Sequence, residues 1–257
     1  GATSLEEARA FMEAHGAVML KALAGGGGRG MRAVTDPKDL GEAYERCRSE
    51  AQAAFGSGDI YVEKLIRKAR HIEIQIVGDG TNVIDLGERE CTLQRRNQKV
   101  VEIAPSPTLD AGFRKNLVEA ARTLASAASY KGLGTFEFLI DMEAKKADSA
   151  IAFMEANPRL QVEHTVTEEV TGIDLVKTQL RIAAGATLKD VGLTDAPAPR
   201  GYAIQLRVNM ERMNEAGEAV PTGGVLNAFT PPSGPGIRVD TFGYAGYRTS
   251  PNYDSLL

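Results

Sequence analysis

The sequence predicts an α+β fold: a small α+β unit at the start, then a larger region of mixed or antiparallel sheet with flanking helices. Three observations carry that expectation. Strand-like runs follow one another across short turns, 70–77 into 83–91 around Gly78-Asp-Gly80 and 134–141 into 150–155 around a polar stretch. Such hairpins outnumber strand–helix–strand units, which favours antiparallel pairing over a doubly wound sheet. Helical patterns gather at 4–15, 36–55, 110–130, 164–170 and 174–184, and so form flanking layers.

In chain order, Ser4-Leu-Glu-Glu7 is a capping box that opens a helix to His15. Ala17 to Leu23 is a strand, the glycine run Gly25 to Gly30 follows, and Met31 to Val34 is a second strand. Asp36-Pro37 supplies an N-cap and a first-turn proline for a helix on which Leu40, Tyr44, Cys47, Ala51 and Phe55 keep helical spacing. Ile60 to Ile66 returns as a strand. In 70–77, Ile72, Ile74 and Ile76 alternate with His71, Glu73 and Gln75, the pattern of a half-buried strand with a polar face. Gln98 to Ile103 is a further strand, stopped by Pro105 and Pro107. Beyond the 134–155 hairpin and the helices that follow it, 185–200 is a Pro/Ala-rich connector, with strands expected at 202–209 and 236–240.

Composition narrows the function. At 257 residues, 43% hydrophobic and 25% charged, the chain is ordinary globular protein, and its net charge of -4 argues against nucleic-acid or membrane-surface partners. No apolar stretch approaches the roughly 20 residues of a membrane span, and no secretory segment opens the chain. Cys47 and Cys91, without a CxxC or a His/Cys cluster, read as reduced thiols of a soluble intracellular protein.

The densest chemistry lies in Glu155-Ala-Asn-Pro-Arg-Leu-Gln-Val-Glu-His164. Glu155, Asn157, Arg159, Gln161 and Glu163 are spaced two apart, so in an extended backbone they would share one face. In a hairpin symmetric about residue 146, Glu137 falls opposite Glu155, and two carboxylates that close call for a cation between them, such as Mg²⁺ with nucleotide phosphates. A salt-bridged surface hairpin is the alternative.

Four other features remain ambiguous on their residues alone. Gly25-Gly-Gly-Gly-Arg-Gly30, with Lys21 in the preceding strand, suits a phosphate-facing loop or a plain hairpin tip; the absence of GK[ST] excludes a Walker loop. Glu63, sharing a face with Tyr61, could accept from an adenine amino group or be an exposed strand carboxylate. Gln94-Arg-Arg-Asn-Gln-Lys99 is an anion-facing loop or a solvated charge run. His71 has a site role or none, and His164 reads as structural.

Taken in order, KALAGGGGRGMRAV from Lys21, YVEKLI from Tyr61, RHIEIQIVGDG from Arg70, ERECTLQRRNQKVVEIAPSP from Glu88, GTFEFL from Gly134, EANPRLQVEHTVTEEVTGIDLVKTQLRIAAG from Glu155 and YDSLL at the end resemble the ATP-grasp enzymes, and specifically biotin carboxylase. The resemblance covers nearly the whole chain. The QRRxQKVVE and PRLQVEHTVTE strings set it apart from carbamoyl-phosphate synthetase and the peptide ligases.

The resemblance implies an ATP-grasp lid over 1–66, a central catalytic subdomain over 67–200 and the start of the C-terminal region over 201–257. It implies a ligase in which bicarbonate attacks the γ-phosphate of MgATP (or the Mn²⁺ complex) to give carboxyphosphate, which carboxylates biotin. Lys21, Gly26, Gly27, Gly28, Arg29, Gly30, Glu63, Lys64, Ile66, His71, Gln94 and Asn97 would form the nucleotide set. Glu137 and Glu155, beside Asn157, would hold the metal, and Lys99 would face the transferring phosphate. Arg159, Gln161 and Val162 would hold bicarbonate, Glu163 would deprotonate it, and Arg207 would stabilise the biotin enolate oxygen.

The implied partners are a biotin carboxyl carrier, a carboxyltransferase and, in the full-length protein, a homodimer mate. The implied compartment is cytoplasmic, with the mitochondrial matrix left open by the missing native N-terminus. Three departures stand out: Asn97 replaces a histidine common in relatives, no family N-terminal domain precedes Gly1, and the chain stops at Leu257 where relatives continue the central sheet, so it reads as a fragment. The alternatives are another ATP-grasp ligase and a catalytically incomplete nucleotide-binding module.

Overall fold

The computed structural model describes residues 1–25, 30–95, 97–144, 150–250 and 255–257. By internal packing the chain divides into two compact units, one of Gly1–Arg70 with Phe138–Met154, the other of His71–Glu137 with Glu155–Leu257.

In the first unit, helix α1 (Leu5–His15) begins as the capping box requires, with the Ser4 amide donating to Glu7 and the Ser4 hydroxyl accepting from the Glu7 amide. Strands β1 (Val18–Ala22), β2 (Met31–Val34) and β3 (Ile60–Lys64) form an antiparallel sheet in the order β2-β1-β3. Asp36 caps a short 3-10 turn, Pro37–Asp39, that leads into helix α2 (Leu40–Phe55). One sheet face is apolar: Val18, Leu20, Ala22 and Ile60 pack with Ala8, Met12, Leu40, Cys47 and Ala51 of the two helices. The alternate residues Met19 and Lys21 therefore lie on the opposite face, with Tyr61 and Glu63 as their cross-strand partners.

The second unit is built on β4 (Ala69–Asp79), β5 (Val83–Arg95), β6 (Gln98–Ala104), β7 (Lys131–Asp141), β8 (Ile151–Asn157) and β9 (Ala203–Leu206). Their order is β8-β7-β4-β5-β6-β9, and β7 and β8 each carry the chain from one unit into the other. Helix α3 (Ala111–Ala127), capped by Asp110, packs on β5, while α4 (His164–Thr171) packs on β5, β6 and β9. Leu175 and Ile182 of α5 (Leu175–Ala183) join Val77, Ile84, Leu86, Leu133, Leu188 and Leu193 in an apolar cluster. Two small two-stranded antiparallel sheets follow, β10 (Glu211–Met213) with β11 (Ala219–Pro221) and β12 (Gly224–Val225) with β13 (Arg248–Thr249).

Four expectations are corrected. The polar face of β4 is buried on both sides of its alternation, because β4 is an interior strand and Glu73 and Gln75 find the guanidinium of Arg89. The strand expected at 202–209 covers only Ala203–Leu206. None forms at 236–240, where Arg238 instead binds Glu168, Glu169 and Asp240 through its side chain. The extended face expected from Glu155 to Glu163 ends at Asn157, since Pro158 follows and the chain turns into α4 at Glu163.

Asp79 closes the β4–β5 turn. Its carboxylate accepts from the amides of Thr81 and Asn82, and from Leu188 in the connector. These backbone donors stabilise the charged form and lower its pKa from 3.8 to about 2. A depressed carboxyl contributes stability that is present above its unfolded value and lost as pH falls through its folded one. The urea midpoint of Asp79→Asn should therefore lie below wild type by a constant margin above about pH 4, with the margin closing towards about pH 2. A margin unchanged across that range would exclude this linkage.

Candidate active site

Lys99 is at the centre of the second unit's polar cluster. A β-bulge aims it there. On β5 and β6, Leu93 pairs with Val101 and Gln94 with Lys99, so Val100 is the extra residue. Glu102, three positions on from Lys99, thereby reaches the same face. A second bulge, between the Ile74/Glu88 and Ile76/Asp85 pairs, contains Gly87 at φ +83°, a conformation glycine adopts without a Cβ penalty.

The Lys99 ammonium donates to Glu73 at 2.6 Å, Glu137 at 3.0 Å and Glu163 at 2.6 Å. All three carboxylates are buried. Burial alone would push Lys99 down, but Glu73, Glu163 and Glu137 outweigh it and raise its pKa, so it acts as a fixed cation. Glu137 is pushed up by burial and pulled down further by His71 and Lys99, ending at about 2. Ligand-capable atoms of His71, Glu73 and Glu137 lie within 4.8 Å of one another, as do those of Glu73, Cys91 and Glu163. The ammonium bonded to Glu73, Glu137 and Glu163 is the internal cation of both groups.

Beneath it lies Arg89, fully buried, its Nε 2.5 Å from Glu73 Oε1. Burial would raise Glu73, yet Arg89 and Lys99 hold its carboxyl below the ordinary value. Beside Glu137, the amide nitrogen of Gln94 donates to the Cys91 carbonyl at 2.8 Å and lies 2.7 Å from His71 Nδ1. The carbonyl fixes the amide's orientation, so Nδ1 accepts and the ring proton is assigned to Nε2. That Nε2 is 2.7 Å from Glu137 Oε2 but not aligned as a hydrogen bond.

Glu163 is the N-cap residue of α4, yet its side chain caps no amide of the helix. Its second oxygen binds Arg207 Nη2 at 2.9 Å, and Arg207 is held from behind by Glu102 at 2.5 Å. Burial pushes Glu102 up despite Arg207, while Glu102 and Glu163 overcome burial to raise Arg207. The Asn157 amide joins Glu137 at 2.9 Å to the exposed Glu155 at 3.2 Å. Gln161 donates to Glu137 at 3.2 Å, and its Oε1 is buried without a donor.

The structure thus brings together Lys99, Glu137, Glu155, Asn157, Gln161, Glu163, Arg207, His71 and Gln94. It leaves Arg159 exposed with Nη1 on the Leu160 carbonyl, and Val162 exposed beside it. Asn97 is exposed at φ +63° in the β5–β6 turn, a left-handed position that asparagine tolerates. In the first unit Lys21 binds Glu63 at 2.5 Å and lies 5.9 Å from the Tyr61 ring centroid. Lys64 binds Asp141 at 3.3 Å, and Ile66 is half-buried. Gly30, at φ +68°, closes the glycine run, and a Cβ there would meet that of Ala22 at 2.9 Å. Gly26, Gly27, Gly28 and Arg29 lie outside the described residues.

Sequence reasoning missed Glu73, Arg89 and Glu102. The signal for Glu73 was present, as a carboxylate between isoleucines; Arg89 and Glu102 lie in ordinary charged runs, and only tertiary pairing distinguishes them.

Residues 1–191 match the family model described as carbamoyl-phosphate synthase L chain, ATP binding domain, and residues 205–257 match that of the biotin carboxylase C-terminal domain. The chain is 47% identical over 242 residues to the biotin carboxylase of Nostoc, covering 93% of this chain and 52% of that protein. It is 45% identical to the pyruvate carboxylase of Aspergillus niger, covering 98% of this chain and 21% of that one. Among solved structures, the biotin carboxylase domain of the Hydrogenobacter thermophilus 2-oxoglutarate carboxylase, a dimer with MgADP, ADP and bicarbonate, superposes with TM-score 0.90 at 42% identity, covering 100% of this chain and 55% of that one. The Campylobacter jejuni biotin carboxylase also gives 0.90, at 41% identity, covering 100% and 56%. The chain thus spans about half of the biotin carboxylases it matches and about a fifth of the pyruvate carboxylases. Among the described residues no helix is long and apolar enough to cross a membrane.

Lys99→Met would leave three buried carboxylates facing one another. It should destabilise the chain by about 3–5 kcal/mol in urea unfolding, the cost of stripping one partner from a buried ion cluster. Adding Glu137→Gln should recover part of that loss; a strictly additive double mutant would contradict the coupling.

Proposed function

Because this chain belongs to the carbamoyl-phosphate synthase L chain ATP-binding family, in its biotin carboxylase branch with the ATP-grasp fold, we propose that it carries out ATP-dependent carboxylation of biotin with bicarbonate. The observation that carries this reading is Glu163, bound through one oxygen to Lys99 and through the other to Arg207, within a network that includes Glu137 and Asn157.

The chemistry divides among these residues. Glu163, oriented by two cations, would take the proton of bicarbonate, whose oxygen attacks the γ-phosphorus of ATP and expels ADP. The product, carboxyphosphate, would break at its C–O bond, its carboxyl group passing to N1′ of biotin and the N1′ proton to the phosphate released. Lys99, a permanent cation, would neutralise charge on the transferring phosphoryl group. Gln161 would lie beside the bicarbonate, and Arg159 would turn from its neighbour's carbonyl to bind the anion with the Val162 amide. Arg207 would face the biotin carbonyl oxygen.

The donor set also suits a hard divalent cation, with carboxylate oxygens of Glu137 and Glu155 gathered by one amide. Mg²⁺ or Mn²⁺ held there would neutralise the nucleotide phosphates. His71, Gln94, Asn97, Lys21, Glu63, Lys64, Ile66 and the 26–30 glycine loop are the proposed nucleotide contacts. We assign 1–66 to the lid, 67–200 to the catalytic subdomain and 201–257 to the start of the C-terminal region. The proposed partners are a biotin carboxyl carrier, a carboxyltransferase and, in the full-length protein, a second copy; the proposed compartment is the cytoplasm.

The test is phosphate release from MgATP by the polypeptide that carries this chain, with bicarbonate and free biotin supplied separately and together. Release that requires bicarbonate and rises with biotin is expected. Release indifferent to biotin would move the assignment to another ATP-grasp ligase. Glu163→Gln should keep nucleotide affinity within about threefold while lowering turnover by about 10²–10⁴-fold, the scale of a lost general base. Equal loss of both would sink the base assignment.

A further inference from the structure

Arg89 has no part in the chemistry above, although it is fully buried and lies directly under it. Its Nε donates to Glu73 Oε1 at 2.5 Å, and its Nη1 to Gln75 at 2.8 Å and to the Thr167 hydroxyl at 2.9 Å. Its Nη2 donates to the Thr135 hydroxyl at 3.1 Å. Desolvating a guanidinium is costly, and an apolar side chain would fill the same volume without that penalty. The geometry of its partners supplies the reason for an arginine.

We infer that Arg89 is a positioning residue for the reaction: its guanidinium holds Glu73 against Lys99 and ties α4, which begins at Glu163, to strands β4 and β7. Each partner lies one structural repeat from a group of the site. Thr167 is four residues beyond Glu163, on the same face of the first turns of α4. Thr135 is two residues before Glu137 on β7, and Gln75 and Glu73 follow His71 at the same spacing on β4. Glu73 itself gives one oxygen to Arg89 and the other to Lys99. A planar fork with fixed donor directions sets three elements in register, which a flexible ammonium does not. The inference rests on the proposed function for its catalytic consequence, but not for the tie itself.

Thr167→Val removes the hydroxyl and keeps the shape; Thr167→Ser keeps the hydroxyl. In the polypeptide that carries this chain, Thr167→Val should lower kcat for bicarbonate-dependent ATP cleavage by about tenfold, at the lower end of losses from supporting-shell changes. KM for ATP should stay within about twofold, because the hydroxyl contacts no nucleotide group. Thr167→Ser should retain most of the wild-type rate. Amide exchange in the ligand-free protein should quicken over 163–167 in the valine variant and not in the serine one. Arg89→Lys, which keeps the charge and loses the fork, should also lose kcat. Wild-type kcat in either Thr167→Val or Arg89→Lys would overturn the positioning role, as would a serine variant as slow as the valine one. If the wild-type polypeptide shows no bicarbonate-dependent cleavage, the proposed function fails and the exchange measurement still decides the tie: quickening confined to 163–167 upholds it, and unchanged exchange overturns it.

Discussion

One ammonium shared by three buried carboxylates is the constraint on which the second unit depends. Glu73, Glu137 and Glu163 reach it from β4, from β7 and from the start of α4, elements far apart in sequence. Three desolvated like charges at that range repel strongly unless a cation lies among them, so the site forms only when the strands are in register. The Val100 bulge turns the lysine inward, and Arg89 below and Arg207 beside supply the remaining positive charge. Electrostatics here determines geometry as much as it determines chemistry.

That arrangement also separates tasks among carboxylates of identical chemical type. Glu73 divides its oxygens between two cations and is wholly enclosed, which suits a structural role. Glu137 remains ionised under the influence of His71 and Lys99, and the Asn157 amide links it to Glu155. Glu163 begins a helix but turns from its amides to Lys99 and Arg207. Environment, rather than residue type, sets each role.

Much of this was legible in the sequence because local patterns persist in the fold. The capping box at Ser4, the Asp36-Pro37 helix start and the Ile alternation of β4 all act within a few residues of themselves. The polar run from Glu155 to Glu163 does bring Glu155, Asn157, Gln161 and Glu163 to the Lys99 cluster, though not along one strand face, and it leaves Arg159 outside. An extended strand was expected to align them, whereas only the segment to Asn157 is strand. Glu163 arrives through a turn and a helix start. What remained hidden depends on bulges and long-range pairing. Nothing near Lys99 announces that Val100 is the extra residue, and nothing near Arg89 announces Thr167, 78 positions away. The β4 face was read as half-buried because its covering partners lie on β5 and α4.

The central claim is that this cluster activates bicarbonate towards the γ-phosphate of ATP. Its most direct test is turnover with ¹⁸O-labelled bicarbonate, followed by mass analysis of the inorganic phosphate released. Attack by a bicarbonate oxygen on phosphorus predicts one labelled oxygen in each phosphate. Unlabelled phosphate, at a rate that still depends on bicarbonate, would contradict it.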